Sequence, residues 1–264
     1  MRHHVAKHPN SVLTSSFPET CDFELDFAEF LDEALLEAYE VRQSLTENEG
    51  REPSERAWWI LKPGMSDRGQ GIRLFSTMEE LTEIFESFEE DSDADEEDEG
   101  EGGDTSVVTS QLRHFVTQKY VHPPLLVGNR KFHIRAYVLA VGGLKVYVYR
   151  RMLALFAAKE YSPPWENGDL AAHLTNTCLQ TGERDGSVRL FWDLEKEVGK
   201  ERLQAIWEEV CKTVGETFEG AARGQRVHFQ VCTHWRRNTS DERYAILMLH
   251  AKSSLSRTRS RYLA

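Results

Sequence analysis

Between residues 26 and 45, apolar side chains recur at Phe27, Phe30, Leu31, Ala34, Leu35, Ala38 and Val41. Steps of three and four place them on one side of a helix, with polar residues on the other. The next apolar stretch, AWWILK at 57–62, is short and bulky and reads as a strand stopped by Pro63-Gly64. A loop with Gly69 and Gly71 leads to a second short strand at 72–75. Ser76 then opens a helix with a buried stripe of Met78, Leu81, Ile84, Phe85 and Phe88, and Ser76 with Glu79 fits a capping box. From residue 115 the period changes to two. FVTQKYV is a strand ended by Pro123-Pro124, and RKFHIRAYVLAV and LKVYVYR are strands joined by Gly142-Gly143, a hairpin signal. Alternation puts Lys131, His133 and Arg135 on one face of the first of these, and Phe132, Ile134 and Ala136 on the other. Leu203, Ile206, Trp207, Val210, Val214 and Phe218 mark a further amphipathic helix. No internal repeat is visible, and helices mixed with antiparallel hairpins make the fold class α+β.

The chain has 264 residues, 40% apolar and 29% charged, enough for one large domain or two small ones. Its net charge of −12 comes from one segment. Residues 89–104, EEDSDADEEDEGEGGD, hold eleven carboxylates and no base, and without them 33 acidic residues face 32 basic ones. Such a run cannot bury enough surface to repay ordering, so a disordered insert is expected there. Net charge therefore gives no argument for a nucleic-acid partner. No apolar run approaches a membrane span, and MRHHVAKHPNSVL lacks the apolar stretch of a secretion signal. Cys21, Cys178, Cys211 and Cys232 form no CxxC pair and read as reduced thiols of a cytoplasmic protein.

Three stretches carry chemistry. The loop KPGMSDRGQGI, residues 62–72, sets Lys62 and Arg68 around glycines, which suits a flap over phosphates. It lacks the Walker spacing, and a tight hairpin with incidental charges fits it as well. The face of Lys131, His133 and Arg135, with Arg150 near the end of the neighbouring strand, gathers cationic groups that would repel one another without an anion; a solvated strand face is the plainer alternative. In AAHLTNTCLQ, residues 171–180, His173, Thr175 and Asn176 offer short polar groups, read equally as a ligand site or as a helix cap with a surface histidine.

Taken together, WWILKPGMSDRGQGI, VTQKYVHPPLLVGNRKFHIRAYVL, YVYR and HLTNTCLQ resemble the ordered motifs of the tubulin–tyrosine ligase family, which uses the ATP-grasp fold. The resemblance covers about residues 50–230 and is greatest to fungal members. It implies two antiparallel-rich sheets holding ATP. Lys62 and Lys131 would contact the phosphates and Arg68 would sit in the flap. Gln118, Lys119, Tyr120 and Val121 would lie beside adenine, partly through backbone groups. His173, Thr175 and Asn176 would line the far side of the nucleotide. Arg135 and Arg150, with Lys131, would serve the transferred phosphoryl group or the acceptor carboxylate. The activity implied is ATP-dependent ligation of a free amino acid to an acidic, tubulin-like protein tail through an acyl phosphate, with Mg2+ expected and neither nucleic acid nor membrane as partner.

Two departures bear on that reading. His133 stands where many relatives have Asp, and the family's closing Asp…Glu-x-Asn motif for magnesium has no counterpart after Gln230, where seven bases accompany only Asp241 and Glu242. Cys232, His234 and His228 have poor zinc spacing, so no metal ligands are assigned. The expected organisation is a helical lead-in at 1–50, a ligase-like domain at 51–230 and a poorly ordered basic tail at 231–264, with both ends cut. A nucleotide-binding pseudoenzyme or interaction module is the alternative.

Overall fold

The computed structural model describes residues 2–64, 71–95, 113–141, 145–166, 168–175, 186–224 and 244–252. Contacts divide the chain into two compact units, Pro18–His122 with Ser162–Leu170, and Met1–Phe17 with Pro123–Tyr161 and Ala171–Ala264. One crossing between them falls beside Pro123-Pro124.

In the first unit, β1 (Thr20–Glu24), β2 (Trp59–Pro63), β3 (Arg73–Phe75) and β4 (His114–Lys119) form an antiparallel sheet in the order β1-β4-β2-β3. Alternation sends Cys21, Phe23, Trp59, Leu61, Phe75 and Phe115 to one face, where they meet α3 (Leu31–Glu37), α4 (Tyr39–Asn48) and α5 (Met78–Asp95). The helix expected across 26–45 is broken. A 3-10 turn covers Ala28–Phe30, and Ala38 leaves the helical region at φ −104°, ψ 51° between α3 and α4. Ala38 is nonetheless fully buried, and the break leaves Leu31, Leu35, Val41 and Leu45 all in the core.

The cap of α5 lies one residue later than expected. The Thr77 hydroxyl accepts from the Glu80 amide at 3.1 Å, and the Glu80 carboxylate accepts from the Ser76 and Thr77 amides at 2.6 and 3.3 Å. Thr77 and Glu80 therefore form the reciprocal box. The helix continues to Asp95, into the first part of the acidic run, and Glu89 accepts from the Ala28 amide at 2.6 Å. Once seeded on Leu81, Phe85 and Phe88, extension adds a backbone bond per residue fixed. The remainder of the run lies outside the described residues.

The second unit is built on β6 (Arg130–Val141), joined to β5 (Leu126–Val127) through Gly128 and Asn129, both at positive φ as a two-residue hairpin turn requires. β7 (Lys145–Val148), β8 (Leu153–Phe156), β9 (Val188–Leu190) and β10 (Tyr244–Lys252) complete the sheet, in the path β10-β6-β8-β9 with β5 and β7 also on β6. The face of Phe132, Ile134, Ala136, Val138 and Ala140 packs on α8 (Lys200–Gly224) through Leu203, Ile206, Val210, Val214 and Phe218. β10 lies within the stretch 231–264: YAILMLHAK is an apolar run, and it pairs antiparallel with β6 from Val141 to His133. Short helices α6 (Leu170–His173) and α7 (Glu195–Val198) flank the sheets.

The lead-in is not one piece. Helices α1 (Arg2–Lys7) and α2 (Leu13–Ser16) belong to the second unit, where Glu216 of α8 accepts from the Ser11 hydroxyl and from the Val12 amide at 3.1 Å. The Ser11 hydrogen bond, first among the causes, holds the Glu216 carboxyl below its ordinary value of 4.5. A depressed folded-state pKa contributes stability that is full above the ordinary value and is lost as pH falls through the folded one. Glu216→Gln should therefore lower the melting temperature at neutral pH and flatten the acid side of its profile, the difference from wild type shrinking below about pH 4.5, which a pH series of thermal melts checks.

Candidate functional site

On the first unit, β2 and β4 pair with Ile60 opposite Gln118, so Lys62 and Gln118 share the face turned away from the helices. Lys62 Nζ donates to Gln118 Oε1 at 2.9 Å, and Gln118 Nε2 donates to Thr20 Oγ1 at 3.0 Å. The row Lys62–Gln118–Thr20 joins two residues singled out from separate motifs to a third, Thr20, that the sequence did not mark because β1 is preceded by no strand signal. Lys119 stands on the opposite pleat, exposed, 3.6 Å from Glu19. Its amide donates to Glu19 O at 2.8 Å and the Tyr120 amide donates to Trp58 O at 2.7 Å, so both backbone donors are used within the sheet. Tyr120 is buried, and Val121 follows β4 half-buried. Gly71, at φ 68°, lies so close to Pro63 that a Cβ would fall 2.7 Å from its Cγ; only glycine closes the 62–72 loop in this way. Arg68 lies outside the described residues.

On the second unit, Lys131, His133 and Arg135 occupy the face of β6 opposite its core face, as alternation requires. Lys131 and His133 are buried and Arg135 half-buried. His133 Nδ1 lies 2.6 Å from Thr175 Oγ1, a hydrogen bond that brings together residues from two motifs 42 positions apart. His173 is buried at the end of α6 with its ring edge-on to Tyr161, centroids 5.7 Å apart. Asn176 lies outside the described residues. Among the described residues, Arg135 Nε is buried with no hydrogen-bond partner. A buried donor on a cationic face suits a multiply charged anion such as a polyphosphate, so Lys131 and Arg135 fit ATP chemically. No grouping of three or more His, Cys, Asp or Glu side chains able to hold a metal occurs among the described residues.

Arg150 is not part of this group. The β6–β7 register sets Leu139 opposite Tyr147, and the Tyr149 amide donates to Tyr137 O at 2.8 Å. Counting on by one turns Arg150 toward the helix-covered face. There its guanidinium lies 4.8 Å from the Trp192 ring centre and 5.6 Å from that of Trp207, and Trp192 Nε1 donates to Arg150 O at 2.8 Å. Strand alternation carried across the hairpin would have revealed this from sequence. Nearby, burial pushes the Cys211 thiol up, with the Arg150 charge opposing. Arg150→Ala should cost about 1 kcal/mol of stability and alter tryptophan emission, because an exposed cation–π contact is of that size; chemical denaturation followed by fluorescence measures both.

Two antiparallel sheets with flanking helices and phosphate-suited cations on β6 define an ATP-grasp protein. The fold matches the C-terminal domain of K. lactis Pby1, an ATP-grasp enzyme that interacts with the mRNA decapping enzyme Dcp2, with TM-score 0.57 and 37% identity over 96% of this chain and 59% of that one. The chain belongs to the tubulin–tyrosine ligase family, whose model matches residues 6–246. It is 49% identical over 236 residues to a Schizosaccharomyces pombe protein named a probable tubulin–tyrosine ligase, covering 86% of this chain and 58% of that protein. It is 45% identical over 248 residues to Saccharomyces cerevisiae PBY1, a probable tubulin–tyrosine ligase, covering 86% of this chain and 32% of that protein. The chain therefore spans little more than half of one of these relatives and a third of the other. ATP-grasp proteins in general bind ATP and Mg2+. Among the described residues no helix is long and apolar enough to cross a membrane.

Proposed function

We propose that the chain is an ATP-dependent carboxylate–amine ligase of a cytoplasmic protein, joining a free amino acid to an acidic, tubulin-like polypeptide. The observation that carries this reading is the cationic face of Lys131 and Arg135 with His133 fixed by Thr175. In it, Lys62, Lys131 and Arg68 bind the phosphates of ATP. Gln118, Lys119, Tyr120 and Val121 lie along the base, and His173, Thr175 and Asn176 complete the nucleotide's surroundings. An acceptor carboxylate oxygen attacks the γ-phosphorus as the bond to ADP breaks. The amine then attacks the acyl carbon and phosphate leaves. Lys131 and Arg135 oppose the negative charge that accumulates on the transferred group, so positioning and charge supply most of the rate. Arg150, stacked on two tryptophans, is assigned to packing.

The test incubates the chain with ATP, Mg2+, an acidic peptide and tyrosine, glutamate or glycine in turn. A mass increase of one residue on the peptide, with matching ADP, supports the reading. Nucleotide binding without any adduct returns the second reading, a nucleotide-binding interaction module. That reading is favoured by the K. lactis relative, which interacts with a decapping enzyme.

A further inference from the structure

The face of β6 that carries Lys131, His133 and Arg135 continues along the same pleat to Tyr137 and Leu139. β7 widens it: Tyr149 lies beside Tyr137, Tyr147 opposite Leu139 and Lys145 opposite Val141. Tyr147 and Tyr149 are 56% and 57% exposed and Leu139 is 36% exposed. Three large apolar side chains left in solvent on one strand pair, in line with a cationic site, mark an interaction surface rather than scattered exposure. Charge specifies the partner. Lys131, Arg135 and Lys145 share this face, and from Val121 to Lys159 the chain has no Asp or Glu, in a protein with 44 acidic residues. Lys145, at the turn end of β7, and Arg151, beyond its other end, are exposed. Among the described residues β7 pairs only with β6, so its outer edge keeps backbone donors and acceptors for an added extended segment.

We propose that Tyr137, Leu139, Tyr147, Tyr149 and Lys145 form a docking track for an extended acidic polypeptide, seating an apolar or aromatic side chain of the acceptor on the tyrosines and its carboxylates against the surrounding cations. This deepens the ligase reading and rests on it: the track recognises the acceptor at a distance from the carboxylate to be modified, and so sets which acidic polypeptides are bound. Acidity gives encounter and salt dependence, and the tyrosine contact gives selection.

The probe is a short fluorescein-labelled peptide of alternating Glu and Gly with one central Phe, titrated by anisotropy against the full chain at low and high salt. Its counterparts replace Phe by Gly, or every Glu by Gln. The Phe peptide should bind with a salt-dependent Kd, the Gln peptide about tenfold more weakly, and the Tyr147→Ser, Tyr149→Ser double variant should bind the Phe peptide about fivefold more weakly, the loss typical of aromatic anchors. The double variant should no longer distinguish Phe from Gly at the peptide centre, a coupling that general damage to the fold would not produce. Equal affinities of wild type and variant overturn the proposal, as do self-association of the chain through this face or binding of phosphatidylserine vesicles in preference to the peptide. The ligase reading fails separately. Tyrosine-dependent peptide binding without ATP-dependent adduct keeps the track and removes the ligase, whereas adduct formed equally well by the double variant keeps the ligase and removes the track.

Discussion

Lys131→Ala is expected to lower ATP-dependent adduct formation by about 10²–10³-fold while leaving the fold in place, the loss that follows removal of one group aimed at developing charge in a water-poor site. The structural argument for an intact fold is local. Lys131 projects from the β6 face opposite Phe132 and Ile134, which pack on α8, so its side chain adds nothing to that core. Its backbone pairs with Leu126 of β5 and its carbonyl accepts from the Ala157 amide at 2.8 Å, and alanine keeps both. The methylene stem is buried, so a modest fall in melting temperature is expected, well short of unfolding. Lys131→Arg retains the charge on a larger planar group and should recover only part of the rate. Circular dichroism, nucleotide affinity and product mass measured together decide the matter. Full activity in Lys131→Ala would remove the residue from the phosphate site, and loss of structure together with activity would show that the strand assignment misplaces it.

The largest stability effect is expected at Asn48. This amide, 1% exposed at the end of α4, donates from Nδ2 to Ala57 O and Ser76 O, each at 2.8 Å, and accepts at Oδ1 from the Ala57 amide at 2.9 Å. One side chain thus satisfies three backbone groups where the segments entering β2 and α5 meet. Asn48→Ala strips all three partners at once in a place closed to water. With about 1–3 kcal/mol for each buried group left unpaired, partly relieved by relaxation, the expected loss is about 3 kcal/mol. Asn48→Asp should be no better at neutral pH. It preserves the acceptor for Ala57 but sets a carboxylate oxygen against two carbonyls, and burial adds the cost of desolvating the charge. Urea denaturation of the two variants beside the wild type measures the loss. A decrease below about 1 kcal/mol for alanine would mean that the pocket collapses or hydrates.

How far the sequence could be read depended on whether the deciding contact was local. The β6–β7 hairpin, the stripe of α8 and the cationic face of β6 follow from alternation and helical spacing, which need no knowledge of the partner. The box at Thr77 and Glu80 was misplaced by one residue because Ser76 and Thr77 both precede the stripe and only the backbone decides which caps. The break at Ala38 is invisible to periodicity, since buried residues keep the same spacing on both sides of it. At the site, the pairs Lys62–Gln118 and His133–Thr175 join stretches 56 and 42 residues apart, and no local pattern encodes them. Arg150 shows the reverse. Its orientation follows from the hairpin register, which turns it to the pleat opposite that of Arg135.

The hydrogen bonds from Ser11 and Val12 to Glu216 carry a consequence for the order in which the protein is made. Met1–Phe17 emerge from the ribosome before Pro18–His122, yet the helix that receives them is translated after it. Meanwhile Pro18–His122, whose strands need no partner beyond residue 119, can begin to fold on a much shorter length of nascent chain. The second unit has to wait, holding its opening segment apart until α8 appears, and closing a separation of 205 residues makes its assembly the slower of the two. Synthesis and final architecture therefore run in different orders: a segment made before Pro18–His122 finds its place after it.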